Sequence, residues 1–318
     1  MSFHQNNPHQ GQYYFEALVA ICPELSNFIK DHPYQSNKKT LNFADANAVM
    51  ALNKALIKYH YQIDWSIPKG YLCPPVPSRA DYVYHIADLL RASLPPVPIA
   101  IGITGSYRNQ KLPKGYKIRG LDIGIGANAI YAIVGNRSYG WSYIGSDIDK
   151  KALENVTQII QKNQILKDKI EVRLQTASKY IFKNIITAKE RFDFTICNPP
   201  FHSSKKAAQR SSQRKSKNLN SSQNFKGQAN ELWCEGGELQ FIKTMIAESE
   251  QFKFNCYWFT TLVSKKENLK PLLNSLEQTS STTVKVIKMQ HGNKKSRILC
   301  WTFLNDVQRK QWSKMRWK

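Results

Sequence analysis

Acidic residues are scarce in this 318-residue chain: 23 Asp and Glu stand against 46 Lys and Arg, a net charge of +23. A chain this basic most simply has a polyanionic partner. The shortage is sharpest from Phe194 through Asn230, which holds no acid, while Lys205, Lys206, Arg210, Arg214, Lys215, Lys217 and Lys226 all fall there. Also missing is any apolar stretch as long as a membrane span, so no membrane partner is expected. The six cysteines, at 22, 73, 197, 234, 256 and 300, form no Cys-x-x-Cys pair. That pattern offers neither a zinc site nor a disulfide framework, and no metal is expected. Cys197, Cys256 and Cys300 sit in apolar runs and read as small buried hydrophobes in a reducing compartment. Residues Met1 to Asn7 have neither a basic nor an apolar signal region, so a cytoplasmic location is expected.

Residues 1–98 read mainly as helices and irregular segments. Helical apolar spacing runs over 44–59, through Val49, Leu52, Leu56 and Ile57, with Asp45 near its start. A second helix is expected over 80–92. The proline-rich stretch Tyr71 to Arg79 between them is expected to be extended, because proline biases the residue before it away from helix. Leu94-Pro95-Pro96-Val97-Pro98 reads as a stiff boundary. Beyond it, strands alternate with helices. Strands are expected at 117–123, 141–147, 170–174, 192–197, 254–263, 283–289 and 297–304. Helices are expected at 127–134, 149–163, 178–187, 236–251 and 265–278. This is an α/β pattern: a seven-stranded, mostly parallel Rossmann-like sheet over 99–318 that ends in an antiparallel hairpin, preceded by a smaller, mainly helical N-terminal domain. No internal repeat interrupts it.

Two turns in that pattern carry chemistry. The first is Asp122-Ile123-Gly124-Ile125-Gly126, closing the first strand of the sheet. Glycines there let the backbone approach a bound cofactor, and the next helix adds its dipole. Nicotinamide cofactors use similar turns, and Ala129 at the third glycine position suits either reading. So does Asp147, at the end of the next strand, where an acid can hold two ribose hydroxyls. The second turn is Asn198-Pro199-Pro200-Phe201, after the apolar run 192–197. Two successive prolines fix φ and remove two donors, leaving the Asn198 side-chain oxygen and the Pro199 carbonyl as outward acceptors. Phe201 offers a face on which a base can stack. A hydride-transferring enzyme has no need of such a cradle for an amino group. The pair of turns therefore points to methyl transfer onto an exocyclic nitrogen. Arg79 is expected to meet the cofactor carboxylate or an RNA phosphate. His202, although adjacent, is not expected to be a base, because the amine proton becomes acidic only after transfer and can leave to water.

Longer stretches carry a resemblance. Asp122-Ile123-Gly124-Ile125-Gly126-Ala127-Asn128, Cys197 through His202, Glu231-Leu232-Trp233-Cys234-Glu235-Gly236-Gly237-Glu238 and Val76 through Tyr82 resemble the bacterial large-subunit ribosomal RNA methyltransferase F family. The likeness extends to a eukaryotic relative acting on small nuclear RNA. It implies transfer of a methyl group from S-adenosylmethionine to N6 of one adenine in 23S ribosomal RNA, either as free RNA or within a pre-ribosomal large-subunit particle, by a monomer. The implied cofactor residues are Arg79, Asp122, Gly124, Gly126, Asn128, Asp147, Ser178 and Asn198, with Asn198, Pro199, Pro200 and Phe201 at the chemistry. The family's Asn-x-His-x-x-Arg-Tyr-Asp stretch stands here as Asn7-Pro8-His9-Gln10-Gly11-Gln12-Tyr13-Tyr14, so no RNA contact is assigned to Gln12 or Tyr14.

Guanine-N2, protein-glutamine and DNA adenine-N6 methylation share the scaffold. Charge disfavours glutamine, and the resemblance disfavours the other two. A non-catalytic RNA-binding assembly protein is a further alternative, against which the intact turns argue. The basic loop, 202–230, is expected to grip phosphates through Lys205, Lys206, Arg210, Arg214, Lys215 and Lys217 and to order on RNA, since it has little that is apolar to bury. Glu231, Glu235 and Glu238 suit either a helix N-terminus or a role in ordering that loop.

Overall fold

The computed structural model describes residues 3–35, 38–94, 112–202, 233–291 and 294–317. Seven strands build one sheet: β3 (Arg119–Ile123), β4 (Ser142–Asp147), β5 (Ile170–Leu174), β6 (Phe192–Cys197), β7 (Cys256–Val263), β8 (Thr283–His291) and β9 (Lys294–Thr302). Their spatial order is β5-β4-β3-β6-β7-β9-β8. The first five run parallel, and β9 lies antiparallel to both β7 and β8, with Ile287 facing Ile298 across the last pair. Alternation along the strands divides the core. Phe194 and Ile196 face one layer, which holds α3 (Val76–Arg91), α4 (Ile130–Tyr139) and α5 (Lys150–Lys162). Cys197, with Leu121 and Ile123 of β3, faces the other, under α6 (Gly237–Ser249) and α7 (Lys266–Glu277). Side chains on successive strand residues point to opposite faces, so one strand serves both layers.

The N-terminal part adds α1 (Phe15–Ile21), a two-stranded ribbon of β1 (Ile29–Asp31) and β2 (Lys39–Leu41), and α2 (Ala46–Tyr61). Asp45 caps α2 by accepting the N–H groups of Asn47 and Ala48 at 2.8 and 3.4 Å. Tyr82, Val83 and Ile86 of α3 belong to the same apolar cluster as Tyr131, Phe194 and Trp258, and Tyr82 Oη pairs with Thr260 Oγ1 at 2.8 Å. The end of α2 and the whole of α3 thus share a core with the sheet, while Leu18, Leu25, Leu41 and Leu52 form a smaller cluster of their own.

Four expectations change. The stretch Tyr71 to Arg79 is extended only to Pro75; α3 starts at Val76 with Pro77 in its first turn, where a missing N–H costs nothing. The helix expected from 127 starts at Ile130, because the Asn128 side chain takes the Ile130 N–H at 3.0 Å. Residues 178–187 form turns, not a helix. There the buried Glu248 carboxylate of α6 accepts the N–H groups of Ile181, Phe182 and Lys183 at 2.6, 3.0 and 2.6 Å, a long-range competitor for helical bonding. A final helix, α8 (Asp306–Arg316), appears where none was expected. The proline boundary at 95–98 lies outside the described residues. So do Lys205, Lys206, Arg210, Arg214, Lys215 and Lys217.

The altered N-terminal motif has a packing role. Asn7 donates to Pro77 O at 2.9 Å and Asp81 Oδ1 at 3.1 Å, and the His4 N–H reaches Asp81 at 2.6 Å. His4 Nε2 meets Asp88 at 2.9 Å, and His9 Nε2 meets Tyr61 Oη at 2.8 Å. These bonds strap the terminus across α2 and α3. Burial, aided by the neighbouring His60, pulls His9 down to about 3 from 6.5. A base depressed on folding takes up its proton more readily when unfolded, so its contribution is complete above pH 6.5 and shrinks as the pH falls towards 3. Each pH unit below 6.5 then costs up to ~1.4 kcal/mol. Against the upward push of burial, Asp81 and Asp88 are both held below 3.8, Asp81 by hydrogen bonds from His85, the His4 N–H and Asn7, and Asp88 by His4 and Arg91. Their contribution is complete above 3.8 and is lost only as the pH falls below it. Thermal unfolding between pH 7 and 5 should show the early loss in wild type and a flatter profile in His9→Phe. Equal slopes would assign the acid sensitivity elsewhere.

Candidate active site

Chain direction creates the site. From β3 the chain moves outward to β4 and β5, then returns to β6 on the other side, which makes the β3–β6 boundary a switch point. A crevice opens at the carboxyl ends of strands at such a point. Register places the ends together: Ile123 lies opposite Ser146 on one side and Cys197 on the other. Gly124, Asp147 and Asn198, distant in sequence, therefore meet. They border a cleft of about 220 Å³, whose wall includes Arg79, Gly124, Gly126, Asn128, Asp147, Ser178, Asn198 and Pro200.

Gly124 and Gly126 have φ of +68° and +62°, in the left-handed region. A Cβ at Gly124 would meet no atom within 4 Å, so a ligand can lie directly against the backbone there. Gly126 N–H and Asp149 N–H each donate to one oxygen of Asp147 at 2.9 Å. Each oxygen keeps a further lone pair, enough for two hydroxyls. Burial raises the Asp147 pKa, and the two backbone donors oppose that rise.

Asp122 is not on the cleft wall. It is fully buried beneath the turn, and neither carboxylate oxygen has a hydrogen-bond partner. Desolvation, then the charge of Asp147, pushes its pKa well above 3.8, while Arg79 pulls it down. Arg79 comes from the first turns of α3, is only 9% exposed, and holds its guanidinium 5.8 Å from the Tyr131 ring centre. A buried acid without donors and a buried cation on the wall call for a ligand bearing both signs of charge. S-adenosylmethionine fits. Its ribose hydroxyls suit an acceptor such as Asp147 and its carboxylate a cation such as Arg79, while Asp122 lies beneath the turn without reaching the wall.

At the end of β6, Cys197, Asn198 and Pro200 line the cleft. Asn198 Oδ1 is buried with no partner. Pro199 is buried behind the wall, and Phe201 is half-buried beyond its lip; neither side chain lines the cleft. His202 pairs as an isolated bridge with Trp233, which brings Trp233 and Cys234 to the wall. Sequence reasoning had quoted Trp233 only within its motif, and had missed Tyr131, Gln175 and Ile181, whose lining role depends on non-local packing. Glu238 has a structural role. It caps not its own helix but α7, accepting Ser264 N–H at 2.9 Å, Lys265 N–H at 3.3 Å and Asn268 Nδ2 at 2.8 Å. Among the described residues, no group of three or more His, Cys, Asp or Glu is placed to hold a metal ion, and no helix is long and apolar enough to cross a membrane.

The chain is similar to known proteins. A family model described as RNA methyltransferase matches residues 1–305. The ribosomal RNA large subunit methyltransferase F of Shewanella pealeana is 45% identical, over 99% of this chain and 87% of its own length. That of Flavobacterium psychrophilum is 46% identical, over 98% of this chain and 96% of its own. Among solved structures, the hMettl16 catalytic domain in complex with the MAT2A 3'UTR hairpin 6 superposes with a TM-score of 0.75 at 26% identity. The match covers 96% of this chain and 99% of that one.

Proposed function

The chain belongs to the RNA methyltransferase family, and from that premise we propose that it transfers a methyl group from S-adenosylmethionine to N6 of one adenine in 23S ribosomal RNA. The observation that carries the acceptor chemistry is the buried, unpartnered Asn198 Oδ1 on the wall of the cofactor cleft.

When bound, S-adenosylmethionine supplies an electrophilic methyl carbon on a sulfonium. Asn198 Oδ1 and the Pro199 carbonyl accept the two N6–H bonds and turn the nitrogen lone pair out of conjugation towards that carbon. The N–C bond forms as the C–S bond breaks, and the released N6 proton passes to water. No side chain has to ionise. The contribution of the protein is position and fixed dipoles. Phe201, half-buried outside the cleft, offers its face to a base brought out of its stack.

RNA would be held beyond the cleft by the cations of 202–230 and by the N-terminal part, residues 1–98. The ribbon supports the latter role: Tyr34, 91% exposed, stands at its tip between Lys30 and Lys39. A cytoplasmic location, a monomeric state and a reaction without metal go with this reading of 23S RNA, free or in a pre-ribosomal particle, as the substrate.

The test is incubation of the purified protein with radiolabelled S-adenosylmethionine and 23S RNA, followed by nucleoside digestion and site mapping. N6-methyladenosine at one position is expected. Label in N2-methylguanosine, or none in RNA whether supplied free or in pre-ribosomal large-subunit particles, would reject the reading.

A further inference from the structure

Trp233 presents a second unpartnered polar group in the cleft. Its bridge to His202 is reinforced by Cys234 N–H donating to His202 O at 3.1 Å, and Gly237 N–H donates to Cys234 O at 3.0 Å. The indole is thereby fastened to the chain four residues past Asn198 and lines the same cleft. Its Nε1–H is buried and has no acceptor. An indole N–H can only donate, and a buried donor without a partner is rare enough in folded proteins to require an explanation.

Two orphaned groups, one acceptor at Asn198 Oδ1 and one donor at Trp233 Nε1, therefore border the same cleft. Together they complement an amidine edge, an exocyclic N–H beside a ring nitrogen that carries a lone pair. Adenine presents that edge through N6 with N1 or with N7. Guanine presents the inverse on its O6–N1 edge and uracil has no exocyclic amine, so both of those edges are rejected. Cytosine through N4 and N3 and guanine through N2 and N3 share the pattern and must be excluded by ring size and orientation in the cleft. We propose that Trp233 is a specificity-determining residue, donating its indole N–H to a ring nitrogen of the target adenine while Asn198 holds the amine. The proposal rests on adenine methylation as argued above and adds the reader of the base.

Trp233→Phe keeps an aromatic ring in place and removes only the donor. The substrate is an RNA oligonucleotide carrying the mapped adenine, intact or replaced by 1-deazaadenine or 7-deazaadenine. In wild type, one of the two deaza replacements should lower kcat/KM about tenfold, the worth of one buried hydrogen bond. In Trp233→Phe, kcat/KM on intact RNA should fall about tenfold. The same deaza replacement should then cost nothing more, and affinity for S-adenosylhomocysteine should stay within twofold. A deaza penalty of equal size in both proteins would overturn the proposal, as would a loss that tracks S-adenosylhomocysteine affinity. Wild type that methylates no adenine would instead reject the functional reading, so the two failures are distinguishable.

Discussion

Replacing Asn198 with alanine should lower kcat by about 10²–10³-fold, the usual cost of losing one preorganised dipole at a transition state. The effect should fall on kcat rather than on binding. In the ground state the adenine amine is flat and conjugated, and its hydrogens bond water as well as protein. Only as the nitrogen rehybridises does the position of Asn198 Oδ1 become critical, and interactions that strengthen in the transition state act on rate. Affinities for RNA and for S-adenosylhomocysteine should remain within about threefold, because Asp147, Arg79 and the glycine turn are untouched. Single-turnover methylation under saturating RNA, with binding measured separately by calorimetry, checks both halves. A rate near wild type would remove Asn198 from the mechanism. A loss confined to KM would make it a binding residue only. Asn198→Asp is a sharper probe, since it keeps an acceptor in place but adds a charge that a neutral amine does not need.

The largest expected loss of stability lies at the other end of the same strand. Asp193, fully buried in β6, accepts Trp312 Nε1 at 2.6 Å, Trp317 Nε1 at 2.7 Å, the Arg119 N–H at 2.7 Å and Arg316 Nη2 at 3.0 Å. One carboxylate thus latches α8 and the residue after it to the amino-terminal edge of the sheet. Asp193→Ala leaves the Arg316 charge and two indole donors without their acceptor, and removing one partner from a buried pair costs about 3–5 kcal/mol. At ~2–4 °C per kcal/mol for a chain of this size, the melting temperature should fall by roughly 10 °C. Asp193→Asn, which retains an acceptor, should lose less. The five residues from Asp193 to Asn198 span about 16 Å of extended chain. Cofactor affinity of the folded variant should therefore be nearly unchanged. Thermal melts with and without S-adenosylhomocysteine separate the two effects. A shift under 2 °C for the alanine variant would mean that α8 is held by its apolar contacts alone.

Composition, periodicity and two short motifs determined a good deal here. The excess of lysine and arginine implied a polyanionic partner, and alternating apolar runs implied the strands of a Rossmann-like sheet, because side-chain period is a local property of backbone geometry. The glycine turn and the Asn198–Phe201 turn were legible for the same reason: positive φ and fixed proline torsions are demanded by residues within a few positions. What only the tertiary structure decided depends on contacts between distant segments. Parallel pairing of β3 with β4 and β6 brought the two turns to one cleft and left Asp122 beneath it. Glu248 kept 178–187 from becoming a helix by taking its N–H groups from the far side of the chain. Asp193 gave α8 its place, although nothing within Asp306–Arg316 announces a buried carboxylate. Trp233 acquired a role only once its neighbour was known to be His202. A hydrogen bond between residues far apart leaves no periodic trace in the chain, and the free energy of a buried polar group depends on which partner folding brings to it.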